Sequence, residues 1–344
     1  MRILAVITVL SFLLGACGPN VSAIHTEEVS FVSQGDTLKG VISKPTGDGP
    51  FPAVVMIHGS SPATRKNFQQ YTRSFVHQGI AVLNYDKRGC GSSGGSMWTA
   101  NFADLGADAA AALEHLAARP YTDTTRLGYW AISQGAWVMH LAHERAPADF
   151  FVGVSAPTIT PRDQIRYHTA SIVLENGGTE AFAERFHAYL TGYIDYLRTR
   201  QGYEQWMRED SLLRTDDRMQ WLGDFFAFSD LVHREPPEEL PPFGECQVNP
   251  SARNLDFDPL PYYERLTEPV LLVYGRNDNS LPLRDCLERV LPAARREGQI
   301  QFKAYFNADH GLREKSAGGD RYPEGYMQLL GDFIKDPGMR IVSE

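Results

Sequence analysis

Apolar residues fall along this chain in two kinds of run. One kind is short and rich in valine, isoleucine and aromatic residues: AVVMI at 53–57, which is continuous, IAVLNY at 80–85, LGYWAI at 127–132, FFVGVS at 150–155, PVLLVY at 269–274 and IQFKAYF at 300–306. Runs of this length and make-up predict strands, and the continuous apolar one at 53–57 predicts a strand buried on both faces. The other kind spreads its apolar residues at helical spacing. Phe68, Tyr71, Phe75 and Val76 do so within 66–78, Phe102, Leu105, Ala109, Leu113 and Leu116 within 102–118, and Trp137, Val138, Leu141 and Ala142 within 134–145. Helices are also predicted at 283–291 and 322–334. Near the start, strand-like segments at 29–33 and 37–43 flank Gln34-Gly35-Asp36 and predict a hairpin. Strands alternating with amphipathic helices predict a parallel sheet covered on both faces.

The alternation stops between 160 and 266. No strand run appears there, and aromatic residues gather on helical patterns: Phe182, Phe186, Tyr189, Tyr193, Tyr196, Trp206, Trp221, Phe225, Phe226 and Phe228. A proline-rich loop, 236–242, ends the block. The simplest reading is a helical cap inserted between two strands and packed over the sheet's edge. Most of its aromatics are expected to form its own core and a few to line a pocket, with at least one of Trp206 and Trp221 selecting substrate.

The N-terminus departs from the pattern. One basic residue, Arg2, precedes an apolar run at 3–14 that is short for a membrane span and has the build of a secretory signal. It ends in Leu14-Gly15-Ala16-Cys17, which resembles the lipobox of bacterial lipoproteins. The resemblance implies cleavage before Cys17 and acylation of that cysteine, so that lipid, not a helix, holds the protein at a membrane. Gly18, where an inner-membrane retention signal would have aspartate, implies the outer membrane of a diderm host, facing the periplasm. Residues 17–28 then read as a tether.

Composition narrows the picture further. The 344 residues are 43% hydrophobic and 22% charged, ordinary values for a globular chain, and suffice for one large α/β domain with an insertion or for two domains. A net charge of −9 and the lack of any basic run argue against nucleic acid as a partner. Besides Cys17 there are Cys90, Cys246 and Cys286, which allow at most one internal bridge, and Cys246 with Cys286 is the expected pair. No cysteine and histidine spacing suits zinc, and neither a metal nor an organic cofactor is expected.

Chemistry concentrates where predicted strands end. Ser133 stands alone between the strand at 127–132 and the helix at 134–145, in Ala131-Ile132-Ser133-Gln134-Gly135. A sharp strand-to-helix turn lifts a serine hydroxyl clear of the sheet, and small residues on either side let strand and helix crowd together. Asp278 follows the strand at 269–274, and His310 follows the strand at 300–306. All strands of a parallel sheet end at one edge, so the three converge there. Acyl transfer needs such a set: a nucleophile, a base and an acid that orients the base.

The Ser133 turn resembles the nucleophile elbow of the α/β-hydrolase superfamily, usually G-x-S-x-G, with alanine for the first glycine. The order serine, aspartate, histidine is also that family's, and the resemblance covers nearly all of the mature chain. It implies a mostly parallel eight-stranded sheet with helices on both faces, residues 29–159 and 267–344 forming the core and 160–266 the cap. It further implies an oxyanion hole made by the N–H of Gln134 and one from the loop His58-Gly59-Ser60-Ser61. Ser60 is the choice there, with Gly59 or Ser61 fitting a shifted loop, and His58 is read as ordering the loop.

Two rivals are set aside. Ser93, in Gly91-Ser92-Ser93-Gly94-Gly95, matches G-x-S-x-G literally, but a glycine-rich run separates it from its strand and no helix follows. That segment resembles the D-x-R-G-x-G-x-S loop of these hydrolases, where Asp86 and Arg88 brace the turn. Asp309, adjacent to His310, would point away from it. The expected protein is a lipid-anchored serine hydrolase cleaving a small carboxylic ester or related acyl bond. Aminopeptidase and thioesterase activities are alternatives on the same residues, and a catalytically idle surface lipoprotein binding a partner through its cap is the alternative of another class.

Overall fold

A computed structural model describes residues 24–218 and 236–341. Cys17 and Trp221, singled out above, lie outside them. Eight strands form one sheet in the order β1-β2-β4-β3-β5-β6-β7-β8. β1 (His25–Ser33) and β2 (Asp36–Lys44) make the predicted hairpin. Its two turn residues, Gln34 and Gly35, both have left-handed φ, 51° and 86°, as a turn matched to the twist of flanking strands requires. The hairpin takes in residues 25–28, expected as tether.

β2 is antiparallel to β4 (Ala81–Tyr85). From β4 onward, through β3 (Phe51–Ile57), β5 (Thr122–Ile132), β6 (Phe151–Val154), β7 (Val270–Gly275) and β8 (Ile300–Tyr305), every pairing is parallel. Successive side chains of these strands go to opposite faces. Val55, Leu83 and Tyr129 join Leu113, Trp137 and other residues of α2 (Phe102–Ala117) and α3 (Gly135–His143) in one core. Val54, Met56 and Trp130 join Phe75 of α1 (Gln69–His77) and Phe333 of α10 (Tyr326–Lys335) in the other. Strands buried on both sides explain why the sequence shows continuous apolar runs there instead of alternation.

Between β6 and β7 the described residues are helical, as the break in pattern predicts. α4 (Pro161–Glu175), α5 (Glu180–Thr199), α6 (Tyr203–Arg214) and the short α7 (Pro250–Arg253) pack around a third apolar cluster that includes Phe182, Phe186, Tyr189, Trp206 and Leu213. The last helix of the 160–266 span, α8 (Leu260–Arg265), does otherwise: its Tyr263, together with Leu266, is buried in the sheet-side core. α9 (Leu283–Val290) follows β7. Among the described residues no helix is long and apolar enough to cross a membrane.

Cys246 and Cys286 are not bridged; these two and Cys90 are free thiols. The expected pair fails because each cysteine serves a different core, Cys246 that of the insertion and Cys286 that of the sheet. Burial pushes the Cys286 thiol up to about 11, far from the reactive range.

Candidate active site

The turn from β5 into α3 holds Ser133 at φ 52°, a left-handed conformation that residues other than glycine seldom adopt. Neighbouring backbone holds it there: Ser133 N–H donates to the Val154 carbonyl at 3.0 Å, and its own carbonyl accepts from Ala136 at 2.8 Å. The turn lies hard against the end of β3. A Cβ at position 135 would come within 2.7 Å of the Ile57 carbonyl oxygen and 2.9 Å of His58's, so glycine there is a steric requirement. Position 131, buried and paired with Ile57, accommodates alanine.

Ser133, Asp278 and His310 come together at the C-terminal edge of the sheet. His310 Nε2 is 3.0 Å from Ser133 Oγ, and its Nδ1 is 2.8 Å from Asp278 Oδ2. A carboxylate only accepts, so the proton sits on Nδ1 and Nε2 is free to accept from the serine hydroxyl. The aspartate side chain is 2% exposed and the imidazole 29%. Asp278 Oδ1 accepts from the Ser280 and Leu281 amides, which fixes the carboxylate while its other oxygen faces the imidazole. The acid and histidine loops are also tied to each other, Asn277 N–H donating to the Ala308 carbonyl at 2.9 Å.

Both rivals are accounted for. Ser93 Oγ donates to the Asp86 carbonyl at 2.7 Å and accepts from the Lys39 amide at 3.0 Å, so its hydroxyl closes a loop. Asp86 accepts from the amides of Arg65 and Ser92, and Arg88 forms a bidentate pair with buried Asp108. Asp309 Oδ1 accepts from the amides of Gly311 and Arg313, within its own turn.

The loop 58–61 runs beside the serine: a Cβ at Gly59 would stand 3.7 Å from Ser133 Cβ. Among the described residues the N–H groups of Ser60 and Gln134 have no acceptor, which leaves both available to a ligand oxygen. His58 is buried, stacked on Phe68 and edge-on to Tyr85, and burial lowers it to about 3, consistent with a neutral loop-ordering role.

Three features escaped the sequence. Ser155, at the end of β6, has φ 43° and donates from Oγ to the His310 carbonyl at 2.7 Å, fixing the histidine loop. Lys87 is buried behind the 58–61 loop, donating to the Gly59 carbonyl at 2.8 Å and Gln134 Oε1 at 3.1 Å. The insertion also reaches the site. From α4, Gln164 donates to the Ser280 carbonyl, Tyr167 to the Asp278 carbonyl and His168 to the Asn279 carbonyl, while Asn249 donates to the Ser60 carbonyl. The sequence carried no signal for these, since Lys87 stands between Asp86 and Arg88 in what reads as an ordinary charged turn.

The aromatics of the insertion divide as expected in kind but not in detail. Trp206 is 5% exposed and stacks on Tyr189 and Tyr196 at centroid distances of 5.6 and 6.0 Å. These three line a groove of about 450 Å³ between α5 and α6, to which Ser133, Asp278 and His310 contribute nothing. The expectation that Trp206 selects substrate therefore loses its ground.

Known proteins resemble the chain at two levels. Over 102 residues it is 35% identical to the esterase FrsA of Klebsiella pneumoniae, covering 30% of this chain and 24% of that one. Over 142 residues it is 32% identical to the esterase EstD of Thermotoga maritima, covering 38% and 34%. The chain thus spans between a quarter and about a third of the length of these curated relatives. The solved esterase Pf2001 of Pyrococcus furiosus superposes with a TM-score of 0.55 at 17% identity, over 94% of this chain and 95% of that one, a likeness of fold. The model of the serine aminopeptidase, S33 family matches residues 48–240. Since that match runs over more than half of the chain, from before β3 through the Ser133 turn and into the insertion, the chain belongs to the serine aminopeptidase, S33 family of α/β-hydrolases.

Proposed function

We propose that this protein is a serine hydrolase that cleaves a carboxylic ester through an acyl-enzyme on Ser133. The observation that carries the reading is the unbroken chain of contacts from Ser133 Oγ through the His310 ring to Asp278, at 3.0 and 2.8 Å. In it, Ser133 Oγ attacks the acyl carbon while His310 Nε2 takes its proton. Asp278 holds the ring and stabilises the imidazolium. The N–H groups of Ser60 and Gln134 bind the oxyanion. Collapse of the tetrahedral intermediate expels the alcohol, which leaves with the proton from His310. Water, deprotonated by the same nitrogen, then attacks the acyl-enzyme and releases the acid and free serine. Apart from substrate and water, every step uses groups of the chain itself.

A fluorophosphonate probe and a panel of esters test the reading. Ser133→Ala should lose both labelling and hydrolysis while keeping its melting temperature, whereas Ser93→Ala should stay within about tenfold of the parent. Probe attached to Ser93, or an unlabelled parent protein, would sink the assignment. The family's description as aminopeptidases favours a second reading on the same residues, so aminoacyl anilides belong in the panel beside short- and long-chain esters.

For its location we propose the cell envelope, on the apolar run at 3–14 and the sequence Leu14-Gly15-Ala16-Cys17 alone. Cys17→Ala should no longer incorporate labelled palmitate or sediment with membranes. Undiminished membrane association of that variant would rule the lipid anchor out.

A further inference from the structure

Lys87 is 2% exposed and carries its charge into the core between two residues whose charges are matched: Asp86 pairs with Arg65, and Arg88 with Asp108. Lys87 is not matched. Among the described residues no carboxylate lies within ion-pair distance of its ammonium. Its acceptors are the Gly59 carbonyl at 2.8 Å, Gln134 Oε1 at 3.1 Å and the Ser61 carbonyl at 3.5 Å. All three belong to the two segments assigned above to the oxyanion hole.

What that does follows from peptide geometry. In a planar trans peptide the C=O of one residue and the N–H of the next point in opposite directions. A Gly59 carbonyl drawn onto Lys87 therefore turns the Ser60 N–H away from it. The Gln134 side chain is held at both ends, its Oε1 by Lys87 and its Nε2 by Asn249 Oδ1 at 3.1 Å and Ser251 Oγ at 2.7 Å. Asn249 Nδ2 closes the ring by donating to the Ser60 carbonyl at 3.0 Å. Ser60 and Gln134 thus sit in one closed network with a cation at its centre. Burial pulls the ammonium down to about 8, which leaves it charged at neutral pH. An unpaired buried cation is a poor device for stability alone, but beside a centre where negative charge develops it is preorganised electrostatic support.

We propose that Lys87 is a positioning residue of the oxyanion hole, its ammonium fixing the Gly59–Ser60 peptide and the Gln134 side chain so that both N–H groups are aimed before substrate arrives. This rests on the hydrolase reading above. Removing support that is given only to the transition state lowers kcat and leaves KM nearly alone.

The test compares the parent with Lys87→Met and Lys87→Gln, using p-nitrophenyl butyrate as substrate and an aliphatic trifluoromethyl ketone as the tetrahedral-adduct probe. Lys87→Met should lower kcat by about 10- to 100-fold with KM within about threefold, and should weaken the ketone in the same proportion as kcat/KM. Lys87→Gln, which keeps a donor for the Gly59 carbonyl but no charge, should recover part of the loss. If Lys87→Met does not fold, Lys87→Gln against the parent carries the same comparison. A kcat within threefold of the parent in the folded variants, or a loss that falls on KM with the ketone unaffected, overturns the proposal. A parent protein that neither takes the fluorophosphonate nor turns over ester fails the hydrolase reading itself, a different result from a labelled parent indifferent to Lys87.

Discussion

His140 shows what a single side chain contributes when its polarity is unused. It is 1% exposed, lies 4.4 Å edge-on from Tyr263, and neither ring nitrogen has a hydrogen-bond partner among the described residues. Burial lowers it to about 3, so the fold holds it neutral. The unfolded chain takes up the proton first, near the ordinary histidine value. Stability from this residue is therefore full above about pH 6.5 and is lost as pH falls toward 3, at ~1.4 kcal/mol per pH unit. His58 adds a term of the same sign. Denaturant melts at pH 7.5 and pH 5 should show the difference in stability shrinking by about 2 kcal/mol in His140→Leu; an unchanged difference would mean that His140 is charged in the fold. At this scale the sequence told unevenly. Ser133, Asp278 and His310 were legible because each follows a strand, and strand ends in a parallel sheet share an edge. Lys87 and Ser155 were not, since nothing in their local pattern says that a lysine is buried or that a serine's hydroxyl reaches 155 residues along the chain.

Elements were legible to the extent that burial stamps a period on them. β3, β5 and β7 were plain because both faces are covered, and α2 because its apolar stripe is regular. The ends were less so. β5 begins at Thr122, five residues before the apolar run, because its first part is held by backbone pairing with Phe51 and not by apolar side chains. The 25–28 segment was read as tether for the same reason: Glu27 and Glu28 are polar on a strand whose ladder to β2 depends on main-chain groups. α8 was grouped with the insertion because it comes before β7 in sequence, yet Tyr263 packs with Trp137 and Tyr274 under the sheet. Assignment of a helix to one core or another is a long-range fact that spacing does not carry. The same limit produced the mistaken Cys246–Cys286 pair.

At the scale of the molecule, two bodies of apolar packing meet at the reactive edge. The sheet has a core on each face, and α4–α7 have one of their own, with Trp206 stacked at its centre. The insertion's hydrogen bonds to the Ser60, Asp278, Asn279 and Ser280 carbonyls cross between them. Those bonds tie the loops of the candidate site to the smaller of the two. Heat should then disable this protein in two stages, the geometry at the strand ends slackening while the strands themselves stay paired. The temperature of half-inactivation should lie below the midpoint of the far-ultraviolet melt. Trp206→Ala, which removes about 3–5 kcal/mol from the insertion's core, should widen that gap without changing the preference between short and long esters. Activity and ellipticity lost along one curve, in parent and variant alike, would show the two bodies melting as one. If the curves part, the protein's working lifetime in the heat is set by α4–α7, and a more durable form is to be sought by repacking around Trp206, leaving the eight strands as they are.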